Sequence, residues 1–185
     1  MLRALIGGFA ALLIFAAAGC EKNLPGYGRI GLKLPPAALG ASISLQQHLT
    51  VERDGRIEEL DAALEVDSER IDLVGMALGQ RILSLHYDGK TLQTWRQPGI
   101  AERLRGEDVL EDLQLTLWPA AEIRAALPAG WRIEESGNRR TLLADDVPVT
   151  IIEYRGAEPR WTGTIELTNL RYHYRLTIQS VLTDS

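Results

Sequence analysis

Apolar and polar residues alternate along several short stretches between residues 41 and 99. A period of two places every second side chain on the same face of a β-strand, and Asp-Gly pairs mark tight turns. Asp54-Gly55 therefore predicts a hairpin between the first two strands, and Asp88-Gly89 predicts a turn into a return strand, Leu92 to Trp95. We expect this half of the chain to be an antiparallel meander. The apolar positions of the hairpin are Ile43, Leu45, Leu49 and Val51 in one strand and Leu60, Ala62, Leu64 and Val66 in the next.

A third strand begins at Ile71, but the segment Gly75-Met76-Ala77-Leu78-Gly79 interrupts its alternation. Glycines around apolar residues predict a flexible loop that exposes Met76 and Leu78, before the strand continues from Leu83 to Tyr87. Soluble monomers rarely expose such surface, so we expect the loop to contact a membrane or a cargo. The alternative is that the loop folds inward as a bulge, because glycines also mark bulged strands.

Helical spacing replaces the alternation between residues 108 and 127. The segment Asp108-Val109-Leu110-Glu111 fits a capping box, and the apolar residues that follow recur at helical intervals until Pro119. Pro119 is expected in the first turn of a second short helix that carries Ile123 and Leu127 and ends at Pro128 and Gly130. These residues therefore predict a helical insert.

Strand signals return after the helices. The predicted strands run from Trp131 to Glu135, Val149 to Tyr154, Trp161 to Leu167 and Leu170 to Ile178, with a turn at Gly137-Asn138. Because the apolar stripe of the helices must be buried, the expected architecture is α+β: a curved antiparallel β-sheet with helices packed across its concave face.

The N-terminal residues have the layout of an export signal. One positive charge, Arg3, precedes an apolar run from Ala4 to Gly19, which ends at the only cysteine. As a helix, this run would reach roughly 24 Å, less than the roughly 30 Å hydrocarbon core, so a permanent membrane span is the weaker interpretation. We expect residues 1–19 to be removed as a signal peptide.

The segment Ala17-Ala18-Gly19-Cys20 resembles the bacterial lipobox, with Ala17 where the usual pattern has Leu. The resemblance implies that Cys20 becomes the first residue and carries acyl chains that anchor the protein to a membrane. An ordinary export signal with an incidental cysteine is the alternative. By the sorting rule for such lipoproteins, Glu21 in place of Asp favours the outer membrane, with the domain facing the periplasm.

Composition limits the remaining chemistry. Gly and Pro are frequent from Glu21 to Gly40, so residues 20–40 are predicted to be anchor and tether, and residues 41–182 one domain. Without the signal, 19 basic residues stand against 25 acidic ones, and the charges are interspersed. A nucleic-acid partner is therefore not expected.

The histidines give little support for catalysis or metal binding. His48, His86 and His173 lie in no recognised motif, and alternation predicts ordinary strand positions for His86 and His173. Asp145-Asp146 is explained by a solvated turn, and Arg139-Arg140 by an exposed hairpin. We assign no catalytic residue, no metal ligand and no cofactor, and predict that the chain is not an enzyme.

A curved sheet capped by two helices can enclose an apolar cavity suited to acyl chains. The alternative is a closed core filled by the same side chains, because buried aromatic residues usually pack against their neighbours. The candidate lining residues are Leu73, Leu85, Trp95, Leu110, Leu113, Leu117, Trp118, Trp131, Trp161, Tyr172 and Tyr174.

The order of elements resembles the half-barrel shared by the periplasmic lipoprotein carrier LolA and the outer-membrane lipoprotein receptor LolB. In particular, the segment from Ile71 to Gln80 is similar to the strand and Gly-Leu-Gly-type loop of LolB, which carries an exposed hydrophobic residue that assists lipid delivery. The resemblance implies this role for Met76 or Leu78, and a LolA-like periplasmic carrier as a partner.

Three further stretches, Gly130-Trp131, Val147 to Tyr154 and Leu170 to Ile178, resemble a family of outer-membrane lipoproteins associated with aryl polyene biosynthesis clusters. This resemblance implies a membrane-anchored protein that binds a lipid, acyl or polyene cargo and helps deliver or insert it into the outer membrane. A structural or assembly lipoprotein that docks an envelope protein partner is the alternative.

Overall fold

The computed structural model describes residues 28–99, 104–156 and 159–183, which form one antiparallel sheet of ten strands and two α-helices. The sheet is open, with spatial order β5-β4-β3-β2-β1-β10-β9-β8-β7-β6. The prediction of an α+β chain built on a single antiparallel sheet is confirmed. The strands are β1 (Ile43–Arg53), β2 (Arg56–Val66), β3 (Ile71–Ala77), β4 (Gln80–Tyr87), β5 (Leu92–Arg96), β6 (Trp131–Ser136), β7 (Arg139–Ala144), β8 (Val147–Arg155), β9 (Gly163–Asn169) and β10 (Tyr174–Leu182); the helices are α1 (Gly106–Leu117) and α2 (Ala120–Ala126).

One face of the sheet carries most of the buried side chains and is called the inner face below. Cross-strand pairing places Leu45, Leu64, Leu73 and Leu85 in one row of this face. In the other half of the sheet the same face carries Leu176, Leu167, Ile152 and Arg140 in another row. Apolar side chains of the inner face, of α1 and of the segment before β1 belong to one core cluster.

The segment between Gly75 and Gly79 is not a flexible loop, as predicted, but the tip of the β3–β4 hairpin. Leu78 and Gly79 form a two-residue turn with φ of 51° and 74°, and a register shift lies between Gly75 and Met76. Pairing of β3 with β4 up to Ala77 and Gln80 fixes the backbone on both sides of the turn. The predicted bulge and the predicted exposure therefore occur together.

Strand β7 was missed in the sequence. Leu142, Leu143 and Ala144 are all buried, and the register of β7 against β8 shifts between Leu142 and Leu143. This irregularity removes the alternation that a strand prediction needs. The predicted turn at Asp145-Asp146 is confirmed, since both residues have positive φ and join β7 to β8.

The last strand begins four residues later than predicted. The Asn169 carboxamide oxygen accepts hydrogen bonds from the backbone N–H groups of Arg171 (3.2 Å) and Tyr172 (2.9 Å). This Asx-type turn ends β9, and His173 has φ of 52°, which no strand residue adopts. Residues 170–173 therefore form the β9–β10 turn, and His173 is not the strand histidine that the sequence predicted.

Helix α1 begins two residues before the predicted capping box. Its N-cap is Arg105, and no side chain caps the helix. A Cβ atom on Gly106 would lie 2.0 Å from Thr94 Cγ2, so only glycine allows the helix to start this close to β5. Pro119 is the N-cap of α2 and does not lie inside its first turn.

The folded domain begins before residue 41. Leu32, Leu34 and Leu39 are buried in the core cluster, although the sequence placed them in a tether. Leu32 and Leu34 alternate with exposed residues, as in an extended segment lying against a core, and Leu39 ends a short 3₁₀-helix, Pro36–Leu39. None of the helices that the structure describes is long and apolar enough to cross a bilayer.

Candidate functional site

The tip of the β3–β4 hairpin exposes two apolar side chains. Leu78 is fully exposed, and Met76 is 41% exposed. Two-residue turns with positive φ favour Asn-Gly or Asp-Gly, whereas a branched apolar residue in the left-handed region is strained. Leu78 thus combines an unfavourable backbone conformation with unfavourable exposure, and burial in the folded chain offsets neither.

Topology brings this tip to the same end of the sheet as three other turns. Strands β1, β3, β7 and β9 all end there, so the Asp54-Gly55, Leu78-Gly79, Asp145-Asp146 and 170–173 turns share that end. Ile57, beside the first of these turns, is 67% exposed. We call this end of the sheet the turn edge, defined by residues 52–57, 76–81 and 170–175.

Most of the predicted cavity-lining residues are packed side chains of the core. Trp131, Trp161 and Tyr174 pack against the core as partly buried residues. Tyr172 lies in the β9–β10 turn, where the Arg29 guanidinium is 5.3 Å from its ring centroid. The fully packed members of the predicted set are Leu73, Leu85, Leu110, Leu113, Leu117 and Trp118.

Trp95 was wrongly grouped with the inner side chains. It pairs with Ser84 in the register of β4 and β5, whereas the inner-face Leu85 pairs with Thr94. Because successive residues of a strand point to opposite faces, Trp95 belongs to the outer face. There it is exposed, with the Arg81 guanidinium 4.4 Å from its ring centroid.

Helix α1 is tied to the segment before β1 and to β10 by a partly buried polar cluster. Arg29 Nη1 donates to the Asp112 carboxylate at 2.6 Å, and Arg29 Nη2 donates to the Tyr174 hydroxyl at 2.8 Å. The Tyr174 hydroxyl in turn donates to Asp112. Burial raises the pKa of Asp112 although Arg29 opposes the shift, and burial and the Asp112 carboxylate raise the pKa of Tyr174.

Two neighbouring side chains of α1 bind the backbone of the same segment. Glu111 accepts a hydrogen bond from the Gly31 N–H at 2.6 Å, and Gln114 both accepts from the Leu34 N–H (2.9 Å) and donates to the Leu34 carbonyl (2.8 Å). Burial raises the pKa of Glu111, and the nearby Arg29 guanidinium opposes this shift. The segment is therefore held as if it were an additional strand against the helix.

Arg140 joins α1 to the inner face at its other side. The sequence suggested an exposed hairpin, but Arg140 is only 2% exposed. Its guanidinium donates to the Leu115 carbonyl at 2.5 Å and to Glu135 at 2.8 Å, and the Tyr154 hydroxyl donates to the Thr116 carbonyl at 2.8 Å. No sequence signal indicated this burial or the helix partner of Arg140.

The histidines do not converge. His48 Nδ1 lies 2.9 Å from Asp61 and His86 Nδ1 lies 2.7 Å from Asp72, both as cross-strand pairs on the outer face, while His173 is exposed in the β9–β10 turn. Among residues 28–99, 104–156 and 159–183, no group of three or more His, Cys, Asp or Glu residues is placed to hold a metal ion. Cys20, the predicted acylation site, lies outside the described residues.

A cleft of about 450 Å³ opens at the turn edge between the β1–β2 turn and the β9–β10 turn. Sequence reasoning missed it, because its walls come from residues more than a hundred positions apart. The only local signal was the pair of arginines around the Asp54-Gly55 turn. Its lining includes Arg53, Arg56, Ile57, His173, Tyr174 and Arg175.

Solved structures similar to the chain include the following two. One is a LolA superfamily protein, NE2245 of Nitrosomonas europaea, with 9% identity, a TM-score of 0.43, and coverage of 82% of this chain and 91% of that one. The other is the MucA/MucB complex of Pseudomonas aeruginosa, with 16% identity and a TM-score of 0.46; 82% of this chain matches 55% of that one.

Among curated proteins, no sequence matches the chain. A family model does match it, and the match extends from residue 44 to residue 182, which includes all ten strands except the first residue of β1. The chain therefore belongs to the family described as "Protein of unknown function (DUF3261)".

Proposed function

We propose that this protein is a non-enzymatic lipoprotein, anchored to the outer membrane through acylated Cys20, that binds a lipid, acyl or polyene cargo and helps deliver it into that membrane. In this proposal the cargo lies between the inner face and the two helices, and the β3–β4 tip contacts the bilayer. A LolA-like periplasmic carrier is the proposed donor of the cargo.

Leu78 is the observation that carries the proposal. It is fully exposed and has positive φ, at a turn where Asn would be favourable on both counts. Strain kept at an exposed position suggests a role that stability alone does not explain. An apolar tip that enters the acyl region of a bilayer would gain about 25 cal/mol for each Å² of surface removed from water.

Cargo binding requires α1 to move, because the core beneath it is closed by Leu110 and Trp118. The contacts that hold α1 to the sheet include hydrogen bonds from Arg140 and Tyr154 to its carbonyl groups. Water can replace hydrogen-bond partners when the helix lifts, and acyl chains can replace the apolar contacts. An opened inner face would therefore offer a surface suited to acyl chains.

The same closed core favours a second candidate function, a structural or assembly lipoprotein that docks an envelope protein. Trp118, Leu110 and Ile123 are fully buried in the structure. If the core never opens, the exposed tip would contact a protein partner.

Native mass spectrometry with lipid extraction distinguishes the two functions. The chain from Glu21 onward, which retains every described residue, is purified from the periplasm without its anchor. We expect a co-purified lipid in stoichiometric amount, whose identity defines the cargo class. A clean apo mass, together with no uptake of added acyl or polyene lipids, would favour the structural lipoprotein.

The role of the tip is tested by Leu78→Glu, assayed as transfer of bound lipid from the purified protein to acceptor vesicles. Val181→Glu is the matched control, because Val181 is 64% exposed and lies at the opposite end of the sheet, near the end of β10. We expect slower transfer for Leu78→Glu only. Equal transfer by both variants would exclude the tip from delivery.

A further inference from the structure

The cleft at the turn edge contains a cationic side chain with an unfilled hydrogen-bond position. Arg53 Nε is buried and has no hydrogen-bond acceptor in the described part of the chain. The Asp54 carboxylate lies 3.8 Å from it, too far for a hydrogen bond. A buried donor without an acceptor is unfavourable by about 1–3 kcal/mol, so an acceptor from outside the described chain is expected.

Other groups around Arg53 favour an anion as that acceptor. Arg56 lines the same cleft and forms no ion pair with any described residue, and the exposed His173 also lines it. Three arginines line the cleft against two carboxylates, Glu52 and Asp54, although the whole chain has a net charge of −5. Guanidinium groups bind phosphate oxygens with paired hydrogen bonds, which fits this arrangement.

The position of the cleft relative to the anchor indicates where the phosphate comes from. The Gly28 carbonyl, at the start of the described chain, accepts a 3.5 Å hydrogen bond from Arg171 in the β9–β10 turn that borders the cleft. Gly28 lies eight positions after Cys20 in the sequence, a reach of at most roughly 28 Å. An anchored chain therefore keeps the cleft close to the bilayer surface.

The apolar side chains at this end complete a surface suited to a bilayer. Ile57 lines the cleft and is mostly exposed, and Leu78 and Met76 lie at the same end of the sheet. Basic side chains next to protruding apolar ones are the pattern of proteins that bind the surface of anionic membranes.

We propose that the cleft lined by Arg53, Arg56 and His173 binds the phosphate of an anionic lipid headgroup in the membrane that carries the anchor. Ile57 then enters the acyl region beside that headgroup, and the turn edge faces the bilayer. This inference rests on the membrane anchoring in the proposed function, and it adds the orientation of the domain and the chemistry of its contact.

Vesicle flotation tests the inference. The chain from Glu21 onward is mixed with vesicles of phosphatidylcholine alone or with one third phosphatidylglycerol, and the bound fraction gives a partition coefficient. We expect binding to the phosphatidylglycerol vesicles that weakens with salt, and little binding to phosphatidylcholine. Arg53→Gln and Arg56→Gln should each lower the partition coefficient about fivefold, and together about 25-fold.

The matched control is the double variant Arg124→Gln and Arg139→Gln. It removes the same charge from exposed arginines that lie outside the cleft and form no ion pair with the described residues. If the control loses as much binding as the cleft variant, general charge attraction explains the binding and the cleft proposal is wrong. If the double cleft variant unfolds, Arg56→Gln alone replaces it in the flotation test, because the Arg56 side chain makes no described contact that the fold needs.

Two further outcomes separate this inference from related ones. Binding of inorganic phosphate, followed by NMR at Arg53, without any binding to vesicles would show a site for a soluble phosphate and overturn the membrane proposal. Equal binding to both vesicle types, combined with a co-purified cargo lipid, would overturn the cleft proposal and leave the proposed function intact. Selective binding to the phosphatidylglycerol vesicles, without any co-purified cargo, would support the cleft proposal and overturn cargo binding.

Discussion

The α1 interface and the turn edge use arginine in opposite ways. At the interface, Arg140 is buried and Arg29 is partly buried, and each donates to a carboxylate and to a second oxygen. At the turn edge, Arg53 has a buried Nε without an acceptor, and Arg56 has no ion pair with the described residues. Arginines whose N–H groups find acceptors within the chain stabilise the fold. Arginines with an N–H group that lacks an acceptor are available to bind a ligand.

Apolar side chains show the same contrast. The leucines of α1 are buried against the sheet, while Leu78 and Ile57 at the turn edge remain in water. Burial of large apolar side chains is the main source of stability, so the turn edge contributes little to it. The two regions therefore should respond differently to substitution: stability should change at the interface, and binding or transfer should change at the turn edge.

The largest change in the free energy of unfolding is expected for Arg29→Met. The substitution leaves the buried Asp112 carboxylate without its cation, and breaking a buried pair in this way reduces the free energy of unfolding by about 3–5 kcal/mol. Arg56→Gln, which removes an exposed arginine of the turn edge, should change it by less than about 0.5 kcal/mol. Chemical denaturation of both variants makes the comparison, and a similar loss in both would remove the distinction between the two regions.

A smaller loss is expected from Gly106→Ala, which tests how closely α1 approaches β5. The new methyl group would overlap Thr94, and overpacking of this kind reduces the free energy of unfolding by about 1–3 kcal/mol, partly offset by the better helix propensity of alanine. Gly106→Ala combined with Thr94→Ser, which removes the closest methyl group but keeps Cβ at 2.9 Å, should recover part of the loss. No recovery in thermal or chemical unfolding would mean that another contact limits the helix position.

The sequence predicted elements with a clean period and failed where a tertiary contact decides the structure. Alternation indicated β1 and β2, and helical spacing indicated α1. The predicted start of α1 was wrong because the close contact of Gly106 with Thr94, and not a capping side chain, decides where the helix begins. Strand β7 was missed because a register shift breaks its period.

The candidate site divides in the same way. Met76 and Leu78 were found because glycines around apolar residues are a local signal, although the predicted loop proved to be a hairpin turn. The sequence shows neither the hydrogen bond from Arg140 to a helix carbonyl nor the cleft around Arg53. Both depend on strands that are distant in the chain and adjacent in the sheet.

Leu78→Asn should increase stability, in contrast to Arg29→Met and Gly106→Ala at the α1 interface. Asn tolerates positive φ and exposure better than Leu, and the Asn-Gly pair suits a two-residue hairpin turn. We expect the free energy of unfolding to rise by about 0.5–1 kcal/mol, while lipid transfer to vesicles falls. A variant that is more stable and transfers lipid at the normal rate would show that Leu78 has no role in delivery.

The smallest effect concerns the pH dependence of stability at the α1 interface, tested with Glu111→Gln. Burial raises the pKa of Glu111 above its ordinary 4.5, against the opposing effects of Arg29 and the Gly31 N–H. Between the ordinary value and the raised one, the folded state binds more protons at this group than the unfolded state, so its contribution to stability falls as the pH rises. Urea denaturation across this window should show the free energy of unfolding of the native chain falling relative to that of Glu111→Gln, which cannot titrate. The opposite slope would show that Arg29 and the backbone donors outweigh burial, and that the interface holds Glu111 as a favourable charge.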